Sequence, residues 1–257
     1  MGDCPAEFVS LAERLADAAG HIVRHYFRSP LEIITKADSS PVTIADREAE
    51  KELRRMVALA YPQHGLIGEE FPAERRDAEY VWVFDPIDGT KSFITGRPLF
   101  GTLIALLHHG KPILGIIDHP AVGERWIGAT GRPTTFQGKP VHTRACPEIG
   151  QAVLATSSPQ MFKGDAAAAF ERIRGRAGLT MYGGDCYVYG LIASGFHDIV
   201  IEASLGIHDF LPLVPVLEGA GAIITDWEGR TLGLDSGDKV LAAGDRRMHD
   251  QALRLLA

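Results

Sequence analysis

Four separated segments of this chain place carboxylates beside glycine, proline or a strand end. They are Thr43-Ile44-Ala45-Asp46, Gly68-Glu69-Glu70, Asp85-Pro86-Ile87-Asp88-Gly89-Thr90 and His208-Asp209-Phe210. The third is the most informative. It follows Tyr80-Val81-Trp82-Val83-Phe84, an aromatic and β-branched run with the pattern of a buried strand. Two acids therefore stand at the carboxyl end of a strand, three residues apart. The proline between them fixes φ and withholds an N–H, so a turn is expected there. Gly89 permits close backbone approach, and Thr90 can open a helix. Rigid carboxylates beside backbone N–H groups suit a divalent cation with a phosphate on top. Taken singly, each acid has an ordinary explanation: Asp46 as a solvated first-turn residue, Glu69 as a loop acid, Asp88 and Asp209 as helix caps. It is their joint occurrence that carries information.

These acids need elements to position them. Apolar residues at helical spacing mark residues 5–28 as a helix, ended by Ser29-Pro30, and residues 43–60 as a second, ended before Tyr61-Pro62. Between them, residues 31–36 read as a strand and 37–41 as a mobile loop. Strands follow at 64–67, 80–84, 102–108 and 112–118, the last two joined by the hairpin signal His109-Gly110-Lys111, with 124–129 continuing the sheet. Residues 131–150 are rich in Gly, Pro and Thr, and the internal boundary is placed near them. An α+β half, 1–140, carries Asp46, Glu69 and the Asp85–Thr90 motif. An α/β half, 141–257, carries Asp185, Glu202 and Asp209. In it, strands at 152–156, 179–182 and 199–202 alternate with helices at 166–174, from Asp185 and from Asp209. The two halves are expected to pack closely as one catalytic unit.

With 257 residues, 46% hydrophobic and 23% charged, the chain has ample material for a large core. No apolar run approaches a membrane span, and the amino terminus lacks a signal peptide's basic start and apolar stretch. Cys4, Cys146 and Cys186 are odd in number and far apart, which fits neither a disulfide framework nor a Cys-x-x-Cys zinc site. A cytoplasmic protein is the simplest expectation. The net charge of −7 argues against nucleic acid as a partner. It does not exclude a small anionic substrate, because cations held by acids present positive charge to phosphate.

Taken together, the segments resemble the inositol monophosphatase-like, Mg²⁺-dependent phosphatases. The string from Asp85 to Thr90, continuing to Phe93, is similar to the family's first signature, with Gly68-Glu69-Glu70 at the expected distance before it. Gly206-Ile207-His208-Asp209, with Glu218-Gly219-Ala220-Gly221 beyond, is similar to the second. Lys36 and the segment ending at Asp46 also fit, so the resemblance spans nearly the whole chain. It implies a layered α-β-α-β-α sandwich of the inositol monophosphatase and fructose-1,6-bisphosphatase type, and a homodimer. One departure stands out. The family usually has Trp before the second-signature Asp and small residues after it, whereas here His208 precedes Asp209 and Phe210-Leu211-Pro212-Leu213-Val214-Pro215 follows. With Gly183-Gly184-Asp185-Cys186-Tyr187, this resembles the branch that hydrolyses L-histidinol phosphate in histidine biosynthesis.

The resemblance also implies roles. Glu69, Asp85 and the Ile87 carbonyl would hold one Mg²⁺, and Asp85, Asp88 and Asp209 a second, with Glu69 sharing a third, weaker ion. Glu70 would support the ligands. Asp46 and Thr90, with Glu69 close, would assist the attacking water, Lys36 would lie nearby, and Gly89 and Thr90 N–H groups would hold phosphate. Attack would be in line, without a covalent intermediate. Asp185 and Glu202 would line the pocket for the alcohol, where acids suit the ammonium and imidazole of histidinol. Three alternatives remain: an inositol-1-monophosphatase or broad polyol phosphatase, a non-catalytic regulatory protein on the same fold, and a simple Ca²⁺ module, which would need no Gly-Thr cradle. A haloacid-dehalogenase-type phosphatase needs its two acids two residues apart, not three. The histidines give no zinc motif: His108-His109 reads as a hairpin pair, and His21 and His25 have helical spacing without a third ligand.

Overall fold

The structure is a computed structural model that describes residues 2–30, 33–35 and 41–256. Lys36 and residues 37–40 of the expected loop lie outside the described residues. The elements run α1 (Ala6–Tyr26), β1 (Ile33–Thr35), β2 (Pro41–Thr43), α2 (Ile44–Ala60), β3 (Gly65–Gly68), β4 (Tyr80–Asp88) and α3 (Thr90–Ile94). A meander follows: β5 (Gly101–His108), β6 (Lys111–His119), β7 (Glu124–Ala129), β8 (Arg132–Phe136) and β9 (Lys139–Pro140). The remainder comprises β10 (Val153–Thr156), α4 (Asp165–Arg174), β11 (Leu179–Tyr182), α5 (Tyr187–Ala193), β12 (Ile199–Glu202), α6 (Ile207–Phe210), α7 (Leu213–Gly219), β13 (Ile223–Thr225), β14 (Val240–Ala243) and α8 (Arg246–Leu256). Among the described residues, no helix is long and apolar enough to cross a membrane.

Two sheets organise these elements. The first has seven strands in the order β3-β4-β5-β6-β7-β8-β9, parallel only between β3 and β4. The second has five in the order β11-β10-β12-β14-β13, with β10 parallel to both neighbours. Side chains alternate across each sheet, and that alternation builds the layers. Trp82 and Phe84 face Leu15 and Leu53 of α1 and α2 in one core. Val81 and Val83 face the opposite way, into a central core with Tyr189 of α5, Val216 of α7 and Val200 of the second sheet. Leu154 and Ile201 then turn from the second sheet toward Phe170 of α4 and Met248 of α8. The result is the expected α-β-α-β-α sandwich.

Among the departures from the sequence reading, three concern the Asp85–Thr90 motif, the Asp209 segment and the internal boundary. The chain does not turn at Pro86: β4 runs on to Asp88, with a β-bulge against β5, because Asp85 pairs with Leu103 while Asp88 pairs with Gly101. The helix expected from Asp209 is two short helices, α6 and α7, divided at Leu211-Pro212, where proline cannot supply the N–H that a continuous helix needs. The glycine-rich stretch 131–150 contributes β8 and β9 to the first sheet rather than serving only as a connection.

Helix α7 lies directly on the first sheet. A Cβ on Gly115 of β6 would stand 2.0 Å from the Pro212 carbonyl oxygen, and one on Gly128 of β7 would stand 2.2 Å from that of Pro215. Neither glycine needs an unusual φ, so both are required for clearance alone. The Thr134 hydroxyl fastens the contact by donating to the Val216 carbonyl at 2.7 Å.

Candidate active site

The bulge in β4 explains how a spacing of three can serve one site. In a regular strand, residues three apart point to opposite faces. One extra residue restores the parity, and Ile87 joins the outer core while Asp85 and Asp88 share the other side. The bulged backbone is held by Thr102, whose hydroxyl donates to the Pro86 carbonyl at 2.8 Å, and by the Ile87 N–H, which donates to Asp85 Oδ1 at 3.0 Å. Asp209 arrives from the other half on α6. Oxygens of Asp85, Asp88 and Asp209 lie within 4.8 Å of one another. A second group with the same spacing joins Glu69, Asp85 and His208. Asp85 belongs to both.

The electrostatics of this cluster match a cation site. Asp85 is 2% exposed. Burial raises its carboxyl well above the usual range, and the charges of Glu69, Asp88, Asp209 and Asp46 push it further. Asp88 is raised by burial and by Asp185 and Asp209, against the opposing Cys186 N–H, which donates to Asp88 Oδ2 at 2.6 Å. Asp209 is raised by burial, opposed by His208 and by the Gly206 N–H, which donates to its Oδ2 at 2.7 Å. Carboxylates gathered so closely repel one another, and an all-oxygen donor set of this kind fits a hard divalent cation such as Mg²⁺. The Ile87 carbonyl accepts the Thr90 hydroxyl at 3.2 Å.

The two residues expected to assist water keep other partners here. Asp46 closes the capping box of α2: its Oδ2 accepts the Thr43 N–H at 2.8 Å and the Thr43 hydroxyl at 2.6 Å. Burial lifts its carboxyl to about 6, with Glu70 and Glu69 adding to the rise and the Thr43 donors opposing it. Thr90 is the first residue of α3, and Gly89 before it adopts the left-handed conformation, φ +81°. Glu50, which the sequence reading passed over, braces Glu70: Glu50 Oε2 accepts the Glu70 N–H at 2.7 Å while Oε1 accepts Arg54 Nε at the same distance. Its signal was faint, an acid mid-helix with an arginine four residues later.

Asp185 and Glu202 both line a cavity of about 150 Å³ that also borders Asp88 and Asp209. Asp185 sits in the loop Gly183-Gly184-Asp185, where three successive residues have positive φ. Its Oδ2 accepts the Ser92 hydroxyl at 2.8 Å, and burial raises its carboxyl against the pull of Ser92, Arg97 and Lys91. Glu202 is 2% exposed, and its oxygens accept the Ser157 N–H at 2.8 Å, the Ser157 hydroxyl, and the Tyr189 hydroxyl at 2.8 Å. Burial still pushes it up to about 7. Ser157 and Tyr189 had no mark in the sequence, being distant from Glu202 along the chain. An outer basin of about 710 Å³ shares Ser157, Met161 and Asp185 with the cavity and carries Lys91, Arg97 and Lys163, a cationic entrance in an acidic protein. The hairpin histidines do meet an acid: His108 Nε2 lies 3.2 Å from Glu79 Oε1 on the surface.

Comparison with known proteins agrees with this geometry. A bifunctional phosphatase of Arabidopsis thaliana, IMPL2, chloroplastic, is 50% identical over 258 residues, covering 97% of this chain and 75% of that protein. The histidinol-phosphatase of Chlorobaculum parvum is 35% identical with 92% of each chain covered, and that of Mycobacterium tuberculosis 34% identical with 96% of each covered. Among solved structures, an inositol monophosphatase from Zymomonas mobilis superimposes with a TM-score of 0.91 at 47% identity, across 98% of this chain and 99% of that one. The model of the inositol monophosphatase family matches residues 5–257, and with its fold and its converging acids this chain belongs to that family of phosphatases.

Proposed function

We propose that the protein is a Mg²⁺-dependent phosphatase acting on L-histidinol phosphate. The observation that carries the substrate is the small cavity beyond Asp88 and Asp209, walled by the half-buried carboxyl of Asp185 and the buried one of Glu202. A neutral polyol there would bring no positive charge to either acid, whereas the ammonium and imidazole of histidinol would form charge-assisted hydrogen bonds with them. Glu202 already accepts three hydrogen bonds, so Asp185 makes the larger contact. The histidinol-phosphatases above, alike over more than nine-tenths of both chains, support the same reading.

Glu69, Asp85, the Ile87 carbonyl, Asp88 and Asp209 would hold Mg²⁺, which when bound supplies Lewis-acid polarisation of the phosphate and orients the nucleophilic water. The chain's own residues do the rest. The first-turn N–H groups at Gly89 and Thr90 receive phosphate oxygens. Asp46, with its carboxyl raised to about 6 and the charges of Glu70 and Glu69 acting on it, is suited to take a proton from water at neutral pH. Lys91, Arg97 and Lys163 draw the anionic ester into the basin.

A second reading, hydrolysis of inositol phosphate, is favoured by the likeness to the Zymomonas mobilis inositol monophosphatase. The test is kcat/KM for L-histidinol phosphate, myo-inositol 1-phosphate and glycerol 2-phosphate at saturating Mg²⁺. Histidinol phosphate is expected to lead. Faster turnover of inositol phosphate would replace the first reading by the second, and absence of phosphate release from all three would remove the catalytic reading.

A further inference from the structure

The residue before Asp209 lies within the acid cluster. His208 groups with Glu69 and Asp85, their ligand atoms all within 4.8 Å. Its Nε2 stands 3.5 Å from Asp209 Oδ1, so the ring presents a nitrogen to the same centre that the carboxylates face. The ring is seated by a glycine. A Cβ on Gly206 would lie 2.6 Å from His208 Cε1 and 2.9 Å from Nε2, and Gly206 has an ordinary φ of −83°, so the space it leaves is what the imidazole uses. Gly206 also orients the neighbouring acid, because its N–H donates to Asp209 Oδ2 and leaves Oδ1 on the His208 side.

We propose that His208 is a nitrogen ligand to the cation held by Glu69 and Asp85, and that it widens the metal preference of this centre from Mg²⁺ toward Zn²⁺ and Co²⁺. The chemistry follows from the donor set. Carboxylates and carbonyls suit Mg²⁺ and Mn²⁺, and an imidazole adds affinity for later first-row ions while adding little for Mg²⁺. Two carboxylates and one imidazole at mutual ligand distance form a mixed oxygen and nitrogen set that an all-acid site lacks. The inference rests on the metal-centre reading above and adds a ligand to it.

Mn²⁺ provides the probe, since electron spin-echo modulation detects ¹⁴N of a directly bound imidazole. Protein loaded with one equivalent of Mn²⁺ is expected to show that modulation. His208→Phe, which keeps a ring over Gly206, is expected to bind Mn²⁺ without it. Gly206→Ala, which displaces the ring and retains the N–H to Asp209, is expected to lose it as well. By calorimetry, His208→Phe should weaken Zn²⁺ about tenfold or more and leave Mg²⁺ within about twofold. Bound Mn²⁺ without nitrogen coupling in the unmodified protein overturns the ligand role and leaves the metal centre standing. Coupling that survives in His208→Phe also overturns it. Failure of Mn²⁺ to bind at all overturns the metal centre and this inference with it.

Discussion

A Cβ placed on Gly89 would stand 2.5 Å from Oδ2 and 2.7 Å from Cγ of Asp185. The turn that opens α3 and the strained loop of the other half therefore touch here, beside the hydrogen bonds from Ser92 to Asp185 and from the Cys186 N–H to Asp88. Gly89 is also left-handed, at φ +81°. Gly89→Ala would meet both penalties: about 1 kcal/mol or more for the backbone, and displacement of the Asp185 carboxylate from Ser92. The expected outcome is a melting temperature lower by a few degrees, with kcat/KM reduced by about 100-fold, since small misplacements at a reacting centre have that effect. Thermal melts beside phosphate-release assays would check it, and a variant of normal activity would show that the contact is dispensable.

Asp85 belongs to both acid groups, so its charge matters twice. In Asp85→Asn the amide oxygen can still accept the Ile87 N–H, while the buried negative charge is gone. Without metal, the variant should be more stable than the parent at pH 7.5, because repulsion from Glu69, Asp88 and Asp209 is relieved. Added Mg²⁺ should raise the melting temperature of the parent and not that of the variant, in line with ligand linkage. Turnover should be abolished. A variant destabilised without metal yet still responsive to Mg²⁺ would contradict the placement of Asp85 at the centre.

Asp185 and Glu202 should differ in their effect on substrate choice. Asp185→Asn removes a charge that, among the described residues, Ser92 alone engages by side-chain hydrogen bond, and should raise KM for histidinol phosphate by a factor equivalent to about 1.5–3 kcal/mol, with far less effect on glycerol 2-phosphate. Glu202→Gln should have the smaller effect, because Ser157 and Tyr189 already occupy most of the carboxylate. Steady-state kinetics on both esters distinguish the two variants. Equal losses on both esters would place Asp185 in holding the phosphate instead of the alcohol.

The pH dependence of Glu202→Gln can be signed. Glu202 is raised from 4.5 to about 7 by burial, so between those values the folded protein holds a proton that the unfolded chain has released. Unfolding free energy from this group therefore falls as pH rises through that window and is flat above it. Buried His119, lowered to about 4, gives the opposite slope between that value and 6.5, so the whole-protein curve mixes both. The difference between variant and parent isolates Glu202. Glu202→Gln should gain stability relative to the parent from pH 5 to pH 8, on the order of 1–3 kcal/mol. Denaturant midpoints of the metal-free proteins at the two pH values would show it, and a constant difference would mean that Glu202 is ionised throughout.

The layered fold and the acids that converge at the candidate site were legible because they sit in local patterns: aromatic and β-branched runs such as residues 80–84, helical runs such as 43–60, and acids beside Gly and Pro. The bulge at Pro86 was not, since proline announces a break without saying whether the strand resumes. The partners of Glu202 were not, since Ser157 and Tyr189 come from β10's end and α5 and meet it only in the folded chain. His208 stands out in the sequence only as a residue in the family's usual Trp position, and the folded chain sets its ring over Gly206 beside the acids. The last two strands were missed because three- and four-residue runs such as 223–225 and 240–243 carry too few periods to declare themselves.

The glycines beneath α7 act as a gauge. Main chain meets main chain at Gly115 with Pro212 and at Gly128 with Pro215, so the height of Asp209's segment above the first sheet is set by atoms every residue possesses. Exchanges among the large apolar residues of the three cores can then alter stability while leaving the separation of Asp209 from Asp85 and Asp88 nearly untouched. A single methyl at Gly115 or Gly128 would do the reverse, jacking one wall of the centre away from the other in a protein that remains otherwise well packed.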